Sequence, residues 1–155
     1  MSTAIDMLKL IEGLPRRPRG RACIVLTHDY LNQRAWAAKL ASQTNSDHLD
    51  LLEHAAGDQK LGNAISTLTP TELLPWLQKQ SQSQVLVVSG IEVLTASWTS
   101  RNTATEQFAS QVEMWSKSPA FLFVIQHNSL LANREFRRFR QFTFVVDQKD
   151  TLALT

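Results

Sequence analysis

The sequence has one cysteine, Cys23, and five glycines in 155 residues. A single thiol excludes a disulfide framework and a cysteine metal cluster. Its place in the apolar run Cys23-Ile24-Val25-Leu26 suits a small packed hydrophobe, not a redox group. Charge of one sign is also scarce, since sixteen Lys and Arg against fourteen Asp and Glu leave +2. That sum is too small to announce a nucleic-acid binder by itself. No apolar run approaches the roughly 20 residues that cross a bilayer, and no basic region followed by a long apolar stretch opens the chain. The expectation is a cytoplasmic protein without a membrane partner, folded as one domain over residues 1–155.

What is present is an alternation of helical and extended patterns. Ile5, Leu8, Ile11 and Leu14 recur at helical spacing behind Thr3 and Asp6, a capping-box-like pair, and Gly13 ahead of Pro15 ends that helix. Cys23–Leu26 reads as a strand and Ala35–Ala41 as the helix after it. His48–Leu52 reads as a second strand, followed by a polar stretch from His54 to Asn63 of no definite form. Thr69-Pro70-Thr71-Glu72 opens a helix carrying Leu73, Leu74 and Leu77, with Pro75 tolerated near the first turn. Val85–Val88 and Phe121–Ile125 are apolar on both faces, the pattern of adjacent central strands in a parallel sheet. Between them Thr103 and Glu106 form a capping box ahead of Phe108, Val112 and Trp115, and Ser118-Pro119 ends that helix. A short segment around Leu130 and Leu131 leads to a fifth strand, Phe142–Val146. The pattern predicts a three-layer α/β/α domain with a five-stranded, mainly parallel sheet.

The junction Thr27-His28-Asp29-Tyr30-Leu31-Asn32-Gln33-Arg34 follows the first strand and precedes its helix. In a P-loop protein this is where glycines let backbone N–H groups close around phosphate, helped by a Lys and a Ser or Thr. Here there is neither glycine nor lysine. His28, Asp29 and Tyr30 sit at a strand's carboxyl end, where open α/β sheets bind ligands. A His-Asp pair there can do acid–base work or hold a metal. Adjacent residues point apart, however, and no second His or Cys follows at ligand spacing, so ordinary loop polarity is the stronger reading. His48, His54 and His127 read as scattered surface or partly buried residues. Asp29 and Glu92 follow two strands and could hold Mg²⁺, but no phosphate loop stands beside them. Ser89-Gly90 ends a strand without the G-x-S-x-G pattern of a nucleophile elbow, and reads as a turn. No catalytic residue, metal or cofactor is expected.

The excess positive charge is gathered in two segments. Arg16, Arg17, Arg19 and Arg21 crowd a proline-containing linker, and Arg134, Arg137, Arg138 and Arg140 interleave with Phe136, Phe139 and Phe142. Guanidinium groups neutralise phosphates while aromatic rings stack on bases, so such a stretch can bind nucleic acid. The competing reading keeps the phenylalanines in the core and the arginines in water. Clustering favours an acidic partner, nucleic acid or protein. At least two of Arg137, Arg138 and Arg140 are expected to be exposed beside Arg134, near the carboxyl end of the fourth strand.

The order helix, strand, phosphate-loop position, helix and four further strands resembles the nucleotide-binding half of AAA+ proteins. Within that class the length, the stretch Val85-Leu86-Val87-Val88-Ser89-Gly90-Ile91-Glu92-Val93-Leu94 and the ending Phe144-Val145-Val146-Asp147 resemble the BrxF family, small P-loop proteins of BREX bacteriophage-defence systems. The resemblance implies a P-loop NTPase (AAA+)-like fold without a lid domain. It places Gln33 and Arg34 where Walker A has Lys and Thr, and Ser89 and Gly90 where Walker B has its acidic pair. Glu92 matches the acid of the "I-E" after Walker B, and Asn128 a sensor 1 residue. Arg137, Arg138 and Arg140 lie between strands 4 and 5, where an arginine finger would complete a neighbour's site. The resulting expectation is a pseudo-ATPase acting as a non-catalytic adaptor or assembly component of a DNA-directed complex, with phage defence as its setting. Its partners would be a protein such as a larger ATPase, DNA, or further copies of the chain. The alternatives are a small P-loop NTPase with an atypical nucleotide site and a basic nucleic-acid-binding module without an ATPase link.

Overall fold

The structure, a computed structural model, describes residues 4–95 and 101–154. Five strands, β1 (Ala22–Thr27), β2 (Asp47–Asp50), β3 (Val85–Ser89), β4 (Ala120–Gln126) and β5 (Val145–Asp147), form one sheet in the order β2-β3-β4-β1-β5. Every neighbouring pair is parallel. The helices are α1 (Met7–Gly13), α2 (Gln33–Gln43), α3 (Leu51–Gly57), α4 (Gln59–Ser66), α5 (Pro70–Gln78), α6 (Glu92–Thr95), α7 (Arg101–Met114) and α8 (Ser129–Asn133). The expected three-layer α/β/α architecture is therefore present.

Strand order and handedness dictate the layers. From β1 the chain crosses to the far edge at β2, then steps back through β3 and β4 and passes β1 to reach β5. Right-handed crossovers put a connection on one face when it travels one way and on the other face when it returns. α2 accordingly lies on one face, with α1, and α3 to α8 on the other. The side chains follow. Cys23, Val25, Val87, Leu122 and Val124 pack with Met7, Ile11, Ala37 and Leu40. Ile24, Leu26, Leu86, Val88, Phe121 and Phe123 pack with Leu73, Leu77, Phe108 and Val112. β1, β3 and β4 are buried on both faces, which is why their sequences show no polar alternation. Burial pushes the Cys23 thiol up to about 12, so it is a packing group and not a nucleophile.

Several boundaries differ from those the sequence predicts. The first helix starts at Met7, capped by Asp6, whose carboxylate accepts the Leu8 N–H at 3.0 Å. Ile5 is instead bridged to Thr151, and Thr3 lies outside the described residues. Leu51 and Leu52 are helical because Asp50 ends β2 and accepts the Glu53 N–H at 2.9 Å, capping α3. The polar stretch after His54 completes α3 and enters α4. Thr103 lies inside α7, not at its cap, and Trp115 falls just beyond its end, donating its indole N–H to Pro119 O at 2.8 Å. β5 is shorter and later than predicted because Phe142 closes a turn, its N–H donating to Phe139 O at 3.0 Å, and the pairing with β1 begins only where Phe144 O accepts the Ile24 N–H at 2.7 Å.

Candidate functional site

β1 and β4 are neighbours whose chains leave their carboxyl ends for opposite faces, to α2 and to α8. Such a switch point opens the crevice in which open α/β sheets bind ligands. The Thr27–Arg34 junction lines it, and the side chains of Thr27, Asp29, Asn32 and Gln33 are engaged in internal hydrogen bonds. Thr27 is buried and its hydroxyl accepts the Asp29 N–H at 3.1 Å. Asp29 caps a single 3-10 turn, Tyr30–Asn32, taking the Asn32 side-chain N–H at 2.8 Å and facing the Asn32 backbone N–H at 3.4 Å. A carboxylate thus faces the Asn32 backbone N–H, a donor of the kind that a phosphate loop offers an anion.

Gln33, which the AAA+ resemblance would set at the Walker lysine, opens α2 and is 3% exposed. Its amide nitrogen donates to Glu92 Oε2 at 3.0 Å and its carbonyl accepts the Gly90 N–H at 3.2 Å. The same Glu92 oxygen accepts the Gln126 N–H at 2.7 Å. Gln33 and Glu92 therefore tie α2 to the ends of β3 and β4 across the crevice. Burial, then the charges of Glu92 and Asp50, push the Tyr30 phenol above its ordinary pKa. Arg34 points to solvent, 3.6 Å from Glu53.

Ser89 and Gly90, which the same resemblance would set at Walker B, belong to a second network. The Ser89 hydroxyl is fully buried, donates to Asp50 Oδ2 at 2.7 Å and lies 2.8 Å from His48 Nε2. With its one proton given to Asp50, Ser89 must accept from His48, which makes His48 the Nε2–H tautomer. Burial lowers the His48 pKa against the opposing pull of Asp50 and Glu53, consistent with a neutral ring. In a nucleophilic triad the histidine would take the serine proton. Here the order is reversed, and the network fixes the β2 and β3 ends. Gly90 has φ +73°, and a Cβ there would stand 2.8 Å from both Asp50 Oδ1 and Leu52 N. Gly90→Ala should cost at least about 1–2 kcal/mol from the left-handed backbone alone. Chemical denaturation measures this, and an unchanged midpoint would show that the turn adapts.

The four histidines do not all remain scattered. His28 and His127, which follow β1 and β4, stack at 4.5 Å, and His28 Nε2 lies 3.2 Å from Asp147 Oδ2. Sequence reasoning set these histidines aside and missed Asp147. The signal was the register: Leu26 pairs with Asp147 and Thr27 with Gln126, so the three strand ends lie level. Burial opposes the Asp147 charge, but the Lys149 N–H, the His28 hydrogen bond and the charges of His28 and Lys149 outweigh it and hold the carboxyl below its usual pKa. His48 belongs to the Ser89 network and His54 is exposed on α3. Asp29 and Glu92 each serve hydrogen bonds of their own and form no paired-carboxylate site. Asn128 caps α8, its side-chain oxygen accepting the Leu131 N–H at 3.1 Å.

Arg137, Arg138 and Arg140 lie toward the opposite end of the sheet from the expected place. After α8 the chain must return to the amino end to start β5 parallel to its neighbours. Residues 137–144 therefore lead into β5 beside the linker that leads into β1, and the two arginine-rich segments meet. Arg17 donates to Gly20 O and Thr143 O, both at 3.1 Å, with its guanidinium 4.8 Å from the Phe142 ring centre. Arg138 N–H reaches Glu113, near the end of α7. Arg137, Arg138 and Arg140 are all exposed, as are Arg16 and Arg19. Arg21 is half-buried and donates to Arg17 O. Arg134 is mostly buried, bonded to Glu106 at 2.8 Å, 3.6 Å from Glu113 and 4.6 Å from the Phe136 ring centre. Arg17 and Arg134 thus hold the fold together, and the arginines at 16, 19, 137, 138 and 140 face solvent. No protein-family model matches the chain, and no curated protein is significantly similar to it.

Proposed function

We propose that this chain is a non-catalytic, AAA+-like adaptor or assembly component of a DNA-directed complex, with bacteriophage defence as its setting. The observation that carries the reading is the self-occupied phosphate-loop position. Asp29 caps the turn, and Gln33 is bound to Glu92 and Gly90. A triphosphate entering this crevice would have to displace internal hydrogen bonds and approach two carboxylates, with no lysine to offset the repulsion. Ser89 and Gly90 supply no carboxylate for Mg²⁺ at the strand end where Walker B would hold it.

Calorimetry with Mg-ATP should give no micromolar affinity, and no ATP turnover should be measurable. Turnover abolished by Gln33→Ala would instead favour the atypical NTPase. A second reading, a basic nucleic-acid-binding module without an ATPase link, draws on the exposed arginines of the two segments, Arg16 and Arg19 on one and Arg137, Arg138 and Arg140 on the other, joined through Arg17. Both readings use those arginines for contact. They part on the partner: an adaptor joins a larger ATPase, while a stand-alone module binds DNA with full affinity by itself.

A further inference from the structure

The polar crevice holds one constellation that the nucleotide reading does not use. His28, His127 and Asp147 stand just past or at the ends of β1, β4 and β5, and their ligand atoms all lie within 4.8 Å of one another. No other group of three His, Cys, Asp or Glu side chains converges in this way among the described residues. We propose that these three residues form a binding site for a divalent transition-metal ion of the Zn²⁺ class.

The donor set selects the class. Two imidazoles and a carboxylate suit Zn²⁺ and its first-row neighbours, whereas Mg²⁺ takes oxygen ligands and water. Three protein ligands leave a fourth position, and the half-exposed His28 opens it to solvent. Ligands about 2.0–2.2 Å from a tetrahedral ion stand about 3.3–3.6 Å apart, so this cluster must close by roughly 1 Å. The chain allows that movement. His28 and His127 are exposed and can turn about their side-chain bonds, while Asp147 is anchored by accepting the Lys149 N–H at 3.0 Å. The strand ends themselves are held level by ladder hydrogen bonds, so the backbone is set in place before any ion arrives. One cation opposes the site, Lys149 Nζ, 4.0 Å from Asp147 Oδ2. It is 70% exposed, so it can swing into solvent.

The test uses the tag-free full chain, treated with EDTA and then freed of it. Titration with ZnCl₂ in a calorimeter should show one saturable equivalent. Loss of even an outer-shell partner typically lowers metal affinity about 10–100-fold, so His28→Ala and His127→Ala should each weaken binding at least that much. His54→Ala, on exposed α3, should bind as the wild type does. ZnCl₂ should raise the melting temperature of the wild type and of His54→Ala, but not of the two site variants. All variants should melt alike in EDTA, since the substituted rings are exposed. If an alanine form melts early in EDTA, the corresponding His→Gln variant replaces it. Absence of saturable ZnCl₂ binding, one-equivalent binding that survives both His28 and His127 substitutions, or equal heat from MgCl₂ would overturn the proposal.

Discussion

Val87→Asp is expected to abolish cooperative folding. Val87 is fully buried in β3, between β2 and β4, where it pairs with His48 and Leu122. Its side chain sits in the apolar layer built by Met7, Ile11, Ala37 and Leu40. An ionised carboxylate placed there costs several kcal/mol even after relaxation and water penetration. Protonation lessens the penalty without removing it, because the neutral acid still lacks hydrogen-bond partners. Against a total stability of about 5–15 kcal/mol for an ordinary domain, one such group is enough. The measurement is a thermal melt followed by far-UV circular dichroism, with gel filtration to detect aggregation. Ala38→Asp, one helical layer outward on the exposed side of α2, should shift stability by no more than about 0.5 kcal/mol. A soluble Val87→Asp variant melting cooperatively near the wild-type temperature would mean that β3 is not a central strand.

That prediction was available from the sequence, because β3 and β4 show their position in their composition. A strand buried on both faces has nothing to alternate, and Val85–Val88 and Phe121–Ile125 carry no polar residue. The β2–α3 boundary was harder to place. Asp50 lies between Leu49 and Leu51 and so looks like part of a strand, yet with Glu53 three residues on it also has the spacing of a helix cap. Gln33 illustrates a different limit. Its identity shows that a phosphate-binding lysine is missing, but only the fold shows that its amide is buried and joins Gly90 to Glu92. The His28, His127 and Asp147 cluster depends wholly on strand order. Residues 28, 127 and 147 become neighbours because β1 sits between β4 and β5, and no local spacing encodes that arrangement. The same order moved the second arginine segment. Its place between strands 4 and 5 suggested the carboxyl end of the sheet, but a parallel β5 requires the chain to travel back before the arginines are reached.

On the proposed function, replacing Arg137, Arg138 and Arg140 together with alanine is expected to weaken assembly or DNA association while leaving the fold nearly intact. Exposed charges contribute roughly 0–1 kcal/mol each to stability. Arg137 pairs at 2.9 Å with Glu135, itself exposed, so its loss strands no buried charge. Contact with phosphates is a different matter, because each neutralised phosphate releases counterions. Each lost contact lowers the slope of log affinity against log salt by about 0.9 on duplex DNA, so the triple variant should lose up to about 2.7 from that slope. Arg16→Ala and Arg19→Ala, on the adjoining segment, should each lower it further by up to about 0.9. Arg134→Ala must behave in the opposite way. Its guanidinium is largely enclosed by Glu106, Glu113 and Phe136, and Glu113 is only 5% exposed. Removing one partner from a buried pair costs up to about 3–5 kcal/mol, less here because half of the Glu106 side chain is in water. Arg134→Ala should therefore melt earlier, and where it remains folded it should keep the wild-type salt slope. Fluorescence anisotropy on a short duplex across a salt series, with melting curves for every variant, separates the two outcomes. Unchanged affinity and salt slope in a normally melting triple variant would reduce the exposed arginines to a solvated face. The contact surface would then have to be sought at the carboxyl end of the sheet, where Leu31 is 93% exposed.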